Sequence, residues 1–163
     1  MLTQIINGHI LTPQGWLKDG SVLISDGKIL EVTNSDLAVI GAKVVDAKGM
    51  YIIPGFVAMN VHGGGGHDFK ECTEEAFHSA IAAHMKHGAT TIFPTLSSSP
   101  KESICKAVSI CEKLMAEKDG PVLGLHVEGP YLNAKMAGNL YDVKNPDKEE
   151  YMLSLIHISE PTR

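Results

Sequence analysis

The chain has 163 residues, of which 44% are hydrophobic and 20% are charged, and its net charge is −5. This composition is that of a globular protein with a sizeable core, and it excludes a disordered or collagen-like chain. Because the modest charge is spread along the sequence, we expect no basic surface for nucleic acid or for an anionic membrane.

The N-terminus and the cysteines both favour a cytoplasmic protein. No Lys or Arg precedes an apolar stretch in the first residues, so no signal peptide is expected, and no run of about 18 apolar residues could cross a bilayer. The three cysteines, Cys72, Cys105 and Cys111, cannot all pair and show no CxxC spacing. Reduced thiols in the cytoplasm are therefore expected.

The N-terminal third of the chain shows strand-like patterns joined by tight turns. Apolar and polar residues alternate weakly over 4–11, and stronger strand patterns cover 21–25 and 28–32. The last two flank Asp26-Gly27, a dipeptide that favours a two-residue hairpin because both positions adopt positive φ readily. We predict an antiparallel hairpin here.

Two more strand-like runs, 43–46 and 50–53, lie on either side of a turn at Gly49. Trp16 and Tyr51 are large aromatic residues of the same region, and we expect them in its core. Several strands of this length indicate a sandwich lobe. Residues 1–53 are therefore predicted to be the N-terminal part of a small β-sandwich domain.

From Phe56 onward, strand-like runs alternate with helical patterns. Thr73 is a predicted helix N-cap, and Gly88 stands where the residue after a helix C-cap belongs. A second helix is predicted to open with a capping box at 99–102, with proline at the first helical position. The strands are predicted at 56–61, 90–94 and 122–127.

This alternation of strands and helices predicts an α/β fold with parallel strands. A doubly wound sheet and a (β/α)₈ barrel share the pattern. The barrel is favoured because polar residues follow the strand ends, where barrels build their active sites. A complete barrel needs about 250 residues. We therefore predict that 54–152 is the first part of a metal-dependent hydrolase TIM barrel, truncated after three strands.

The first group of candidate functional residues follows the strand at 56–61. Asn60 and His62 are two residues apart, so in a strand both would face the barrel mouth and could share one metal ion. The glycine run 63–66 lets the backbone approach a ligand closely. A histidine before glycines is often structural, but its position at a strand end favours a functional role.

The second group is His126 and Glu128, at the end of the third strand. An apolar strand that delivers an acidic residue directly into Gly129-Pro130 is hard to explain by packing. A carboxylate at this point can bind a divalent cation, which would acidify a bound water. We expect His126 to be buried and hydrogen-bonded beneath the site rather than to bind the metal.

Three further histidines, His78, His84 and His87, lie on the first predicted helix. Their spacings of six and three do not build a zinc site on that helix. We expect them to be surface or interface residues.

Several motifs resemble a known family. Residues 6–8, 20–22, 26–29, 46–49 and 54–56 are similar to the opening of the amidohydrolase superfamily. The more specific segments resemble the N-acetylglucosamine-6-phosphate deacetylases. They are Gly63-Gly64-Gly65-Gly66, Pro94-Thr95-Leu96 and the segment from Gly124 to Asn133 with Gly-Leu-His-Val-Glu-Gly-Pro at its centre. The resemblance covers residues 1 to about 139.

The resemblance implies a divalent metal cofactor, zinc or iron, with Glu128 as a ligand, and it implies that Asn139 touches the sugar substrate. Many superfamily members have His-x-His at the first strand and hold two metals, whereas this chain has Asn60-Val61-His62. We therefore predict a single metal, with His62 as a candidate ligand and with Asn60 and His126 in supporting positions. The family often has a small residue and then His after Gly138, where this chain has Asn139-Leu140.

By this resemblance, the parent enzyme would hydrolyse N-acetylglucosamine 6-phosphate to glucosamine 6-phosphate and acetate in amino-sugar catabolism. Its partner is a small amino-sugar phosphate, and the full-length parent is expected to be a homo-oligomer. A proton-transfer aspartate and two histidine ligands would come from later strands, so the fragment itself should be inactive. The alternatives are another amidohydrolase that acts on a cyclic amide or nucleobase, and a non-catalytic sugar-phosphate binding protein.

The last eleven residues, 153–163, read LSLIHISEPTR. They match one reading frame of a transposase adapter used in short-read sequencing libraries; the alternative is a natural loop. We treat this segment as foreign to the fold, as one would a fusion scar. His157 and Glu160 are then not ligand candidates.

Overall fold

The computed structural model describes two compact units, Met1–Pro54 and Gly55–Arg163. Asn139 and the tail 153–163 lie outside the described residues. In the part of the chain that the structure describes, no helix is long and apolar enough to cross a membrane. The described residues are 1–34, 38–133, 135, 145 and 147–149.

The first unit has five strands: β1 (Leu2–Thr12), β2 (Gly15–Ser25), β3 (Lys28–Thr33), β4 (Lys43–Asp46) and β5 (Tyr51–Ile52). They form one sheet in the order β3-β2-β1-β4, with β5 also paired to β1. The β1–β2 and β2–β3 pairs are antiparallel, whereas β4 and β5 both run parallel to β1.

The predicted hairpin at Asp26-Gly27 is confirmed. These two residues connect β2 to β3 with φ values of 49° and 77°. Positive φ at both central positions is the type I′ geometry, whose twist matches that of the flanking strands.

Trp16 and Tyr51 are not in the core of this sheet, so that prediction is wrong. Trp16 is 55% exposed and Tyr51 is 73% exposed, and their rings contact each other edge to face at 5.2 Å. Trp16 lies opposite Leu11 in the β1–β2 register, while the neighbouring Ile10 is buried. Because adjacent strand residues point to opposite faces, Trp16 projects from the face opposite to the one that Ile10 buries.

The described elements of the second unit are β6 (Phe56–Val61), β7 (Gly63–Gly64), β8 (His67–Asp68), a 3₁₀ helix (Phe69–Glu71), α1 (Glu74–Lys86), β9 (Ala89–Ser97), α2 (Lys101–Met115) and β10 (His126–Glu128). Three of the strands form a parallel sheet in the order β10-β9-β6. The helix α1 lies between β6 and β9 in the chain, and α2 lies between β9 and β10.

The prediction of an α/β fold with parallel strands is confirmed, but the sheets that the structure describes do not close into a barrel. The third strand also differs from the predicted 122–127. Regular pairing begins only at His126, while Val122 forms an isolated bridge to Ile92.

The core of this unit is built around Phe69 and Phe77, both fully buried, with ring centroids 4.8 Å apart in an edge-to-face contact. Phe77 comes from α1 and Phe69 from the 3₁₀ helix, so the core holds the segment between β6 and α1 as well as the helices. Other members are Ala80, Ile81, Ala89, Ile92, Leu96, Ala107, Ile110, Cys111, Leu114 and Val122.

The helix ends show which local predictions hold. The Thr73 side chain accepts a hydrogen bond from the Ala76 N–H and caps α1 as predicted. The capping box predicted at 99–102 is wrong, because the N-cap is Pro100 and has no side-chain hydrogen bond. The Ser99 hydroxyl instead donates to the Ser97 carbonyl at 2.6 Å.

Candidate metal centre

The site forms where the three parallel strands end. In the β9–β10 register Glu128 lies opposite Ser97, and Val61 at the end of β6 lies opposite Pro94 of β9. The strands therefore deliver Glu128 and the residue after Val61 to one edge of the sheet. This edge is where parallel α/β proteins place their ligands.

His62 and Glu128, 66 residues apart, come together at this edge. The distance from His62 Nε2 to Glu128 Oε2 is 3.4 Å, and the two side chains are 45% and 36% exposed. Two ligands at about 2.1 Å from a tetrahedral zinc ion lie about 3.4 Å apart. The imidazole nitrogen and the carboxylate oxygen thus have both the chemistry and the separation of two ligands to one cation.

The other predicted site residues are placed differently. Asn60 is exposed in β6, and the structure records no hydrogen bond from its side chain to His62 or Glu128. His126 is half-buried, and its Nδ1 lies 3.2 Å from the hydroxyl of the buried Thr95. Within the described ranges, no group of three or more His, Cys, Asp and Glu side chains is arranged to hold a metal.

A short hairpin, β7–β8, follows His62. Its two turn residues, Gly65 and Gly66, have φ values of 59° and 88°. At Gly63 the restriction is steric, since a Cβ would lie 2.1 Å from the His67 carbonyl oxygen. The glycine run is therefore required by the turn and by close backbone contact at the entrance to the site.

The hairpin is attached to α1 by two side chains. His84 Nε2 lies 3.0 Å from the Gly63 carbonyl oxygen, and the Ser79 hydroxyl donates to the Gly65 carbonyl at 3.3 Å. His84 is half-buried. Of the two positions expected for it, surface or interface, the half-buried His84 has the second, because α1 turns it toward the glycine run. His78 and His87 are exposed, as predicted.

A capping box closes the same loop. The Glu71 carboxylate accepts from the Asp68 N–H at 2.7 Å, and the Asp68 carboxylate accepts from the Lys70 N–H at 2.7 Å. The second Glu71 oxygen lies 3.0 Å from His67 Nδ1. This hydrogen bond raises the pKa of His67, whereas the Asp68 N–H and then His67 lower the pKa of Glu71. This box was not among the predicted elements, although Asp68 and Glu71 have its characteristic spacing.

Known proteins match most of the chain. No protein-family model matches it. It is 33% identical over 137 residues to N-acetylglucosamine-6-phosphate deacetylase of Haemophilus influenzae, covering 82% of this chain and 35% of that protein. The chain thus spans about a third of the length of the curated relatives it matches.

Two solved structures are similar in fold. N-acetylglucosamine-6-phosphate deacetylase from Pasteurella multocida has a TM-score of 0.88 at 22% identity, over 96% of this chain and 42% of that one. A variant of the Mycobacterium smegmatis enzyme in complex with N-acetyl-D-glucosamine-6-phosphate has a TM-score of 0.80 at 26% identity, over 96% and 40%.

These matches and the parallel strand order define the class as an α/β protein of the amidohydrolase superfamily. More particularly, the chain is homologous to N-acetylglucosamine-6-phosphate deacetylase over the N-terminal part of that enzyme.

Proposed function

We propose that this chain is part of a metal-dependent deacetylase that hydrolyses N-acetylglucosamine 6-phosphate to glucosamine 6-phosphate and acetate. The observation that carries the proposal is the pair of candidate ligands. His62 Nε2 and Glu128 Oε2 lie 3.4 Å apart at the strand ends of a chain homologous to such deacetylases. We further propose that Gly55 onward forms the first three strands of a (β/α)₈ barrel that later residues close.

The donor set suits a single divalent cation of the zinc or iron type. An imidazole nitrogen and a carboxylate oxygen are ligands that both ions accept, and a catalytic zinc site typically has three protein ligands and a water. His62 and Glu128 would supply two of the three. When bound, such a cation supplies an acidified water and polarises the amide carbonyl.

The residues of this chain would then bind and orient. Glu128 supplies the negative charge that offsets the cation, and His62 fixes the cation between β6 and β10. The hairpin after His62 and the segment after Glu128 would flank the bound sugar. The M. smegmatis complex supports an amino-sugar phosphate as substrate. Asn139, which lies outside the described residues, would contact the sugar.

The test compares two variants in a chain extended to the relatives' full length. Glu128→Gln keeps the side-chain shape but removes the charge, so metal content should fall and deacetylation should drop by at least about tenfold. Asn60→Ala, on β6 at the other side of the central strand β9, is the control and should lower metal content and activity less than Glu128→Gln does.

Metal content by elemental analysis and acetate release from N-acetylglucosamine 6-phosphate are measured for both variants and the unmodified enzyme. Unchanged metal content and rate in Glu128→Gln would refute the assignment of this residue. A loss confined to Asn60→Ala would move the metal site to the first barrel strand. Sugar-phosphate binding without hydrolysis in the unmodified enzyme would favour a non-catalytic binding protein.

A further inference from the structure

The fully buried Thr95 connects all three strands of the parallel sheet through one hydroxyl group. Its Oγ1 lies 3.0 Å from the Val61 backbone nitrogen of β6, 3.2 Å from the Phe93 carbonyl oxygen of β9, and 3.2 Å from His126 Nδ1 of β10. Val61 immediately precedes His62, and His126 stands two residues before Glu128. The hydroxyl therefore touches the supports of both candidate metal ligands.

The proton count of this hydroxyl determines the form of His126. A threonine hydroxyl has one proton to donate and two lone pairs to accept with. The Val61 N–H can only donate, and the Phe93 carbonyl can only accept. Only one placement of the protons makes all three contacts hydrogen bonds at the same time. In it the hydroxyl donates to Phe93, while Val61 N–H and His126 Nδ1–H each donate to one lone pair.

We propose that Thr95 is a positioning residue that holds neutral His126 as the Nδ1–H tautomer. The lone pair then lies on Nε2, where it can accept a hydrogen bond from a ligand. His126 and Glu128 project from the same face of β10 because they are two residues apart. The identity of the ligand rests on the proposed function: the group that would donate a hydrogen bond to Nε2 is the amide N–H or a hydroxyl of the N-acetylated sugar.

His84 provides an internal standard with the opposite tautomer. Its Nε2 lies 3.0 Å from the Gly63 carbonyl oxygen. Because a carbonyl only accepts, this nitrogen must carry the proton. His84 and His126 should therefore show opposite ring protonation, each set by its hydrogen-bond partner.

The test uses long-range ¹H–¹⁵N NMR spectra of the ¹⁵N-labelled 163-residue chain at about pH 9, well above the ordinary histidine pKa. His126→Gln and His84→Gln variants assign the signals. We expect His126 to show a protonated Nδ1 and a bare Nε2, and His84 the reverse. A protonated Nε2 on His126 in the unmodified chain would overturn the proposal.

Thr95→Val then removes the hydroxyl at nearly constant shape. The His126 preference for Nδ1–H should disappear while His84 is unchanged, and Thr95→Ser should restore it. An unaltered His126 tautomer in Thr95→Val overturns the role of Thr95. If Thr95→Val also changes the tautomer signals of His84, the fold has changed in that variant. The His126 tautomer in the unmodified chain and in Thr95→Ser then decides the role of Thr95.

This measurement needs neither metal nor turnover. A wrong tautomer therefore rejects the positioning role and leaves the deacetylase proposal standing. Conversely, the 163-residue chain could show the expected tautomer while the chain extended to full length fails to deacetylate the sugar. That pair of results rejects only the ligand group assigned to Nε2.

Discussion

Truncation of Phe69 tests whether the loop after His62 is held by the core of the second unit. The Phe69 ring is fully buried and packs edge to face on Phe77. A buried aromatic ring covers about 150–250 Å², which at about 25 cal/mol per Å² corresponds to about 4–6 kcal/mol. Measured Phe→Ala changes in cores cost about 3–5 kcal/mol. We therefore expect Phe69→Ala to lower the free energy of unfolding by about 4 kcal/mol.

The assay is urea unfolding followed by helical circular dichroism, because α1 and α2 both lie in the second unit. For a slope of about 2 kcal/mol per M, the midpoint should fall by about 2 M. Trp16, the one tryptophan of the chain, lies in the first unit, and its fluorescence follows that unit separately.

Phe56→Ala is the matched control, since Phe56 is in the same unit but 57% exposed. It should cost less than half as much as Phe69→Ala. Equal losses for the two variants, or a loss below about 1 kcal/mol for Phe69→Ala, would refute the packing argument.

Three other outcomes are expected. The 163-residue chain should release no acetate from N-acetylglucosamine 6-phosphate. Its described residues bring together two candidate ligands, whereas a catalytic zinc ion takes three protein ligands. Turnover near that of a full-length relative would contradict this expectation. Gly63→Ala places a Cβ 2.1 Å from the His67 carbonyl oxygen and should destabilise the second unit by at least about 1 kcal/mol in the same urea assay. Gly64→Ala, in the same hairpin, brings its Cβ no closer than 3.3 Å to the surrounding atoms and should cost less; equal losses would contradict the steric argument. Glu71→Gln should return the pKa of His67 toward its ordinary value in an NMR titration. Because that pKa is raised in the fold, the stabilisation by the pair is present below the ordinary histidine pKa and is lost as pH rises through the raised value, and an unchanged His67 titration would contradict the pairing.

Local chemistry explains which parts of the fold could be predicted. The Asp26-Gly27 turn and the Thr73 cap depend on residues within four positions of each other, and both are confirmed. The capping box at 99–102 also has the right local pattern, but a competing bond from the Ser99 hydroxyl to the Ser97 carbonyl takes its place. Several local hydrogen bonds are open to such serines, and the sequence pattern does not rank them.

Burial and the interior of the site depend on contacts between distant residues. Trp16 has a residue type typical of a core, yet the β1–β2 register turns it to the exposed face. The approach of His62 to Glu128 was predictable, because parallel strands end at a common edge. The role of Thr95 was not, because it requires knowing that β9 lies between β6 and β10 with this register.

The two candidate ligands are held by different contacts, and this separates the effects of two substitutions. The carbonyl of His62 accepts the Phe69 N–H at 2.9 Å, so the first turn of the loop fixes the His62 backbone. Glu128 instead lies on β10, which pairs with β9 at Ser97. Phe69→Ala should therefore shift the backbone NMR signals of His62 more than those of Glu128. Thr95 contacts Val61 and His126, which lie close to the two candidate ligands in the chain, so Thr95→Val should shift the signals of both His62 and Glu128. Equal shifts of the His62 and Glu128 signals in Phe69→Ala would contradict this expectation, because they would mean that the loop and β10 move together. The two side chains would then stay close to each other after the Phe69 contact is lost.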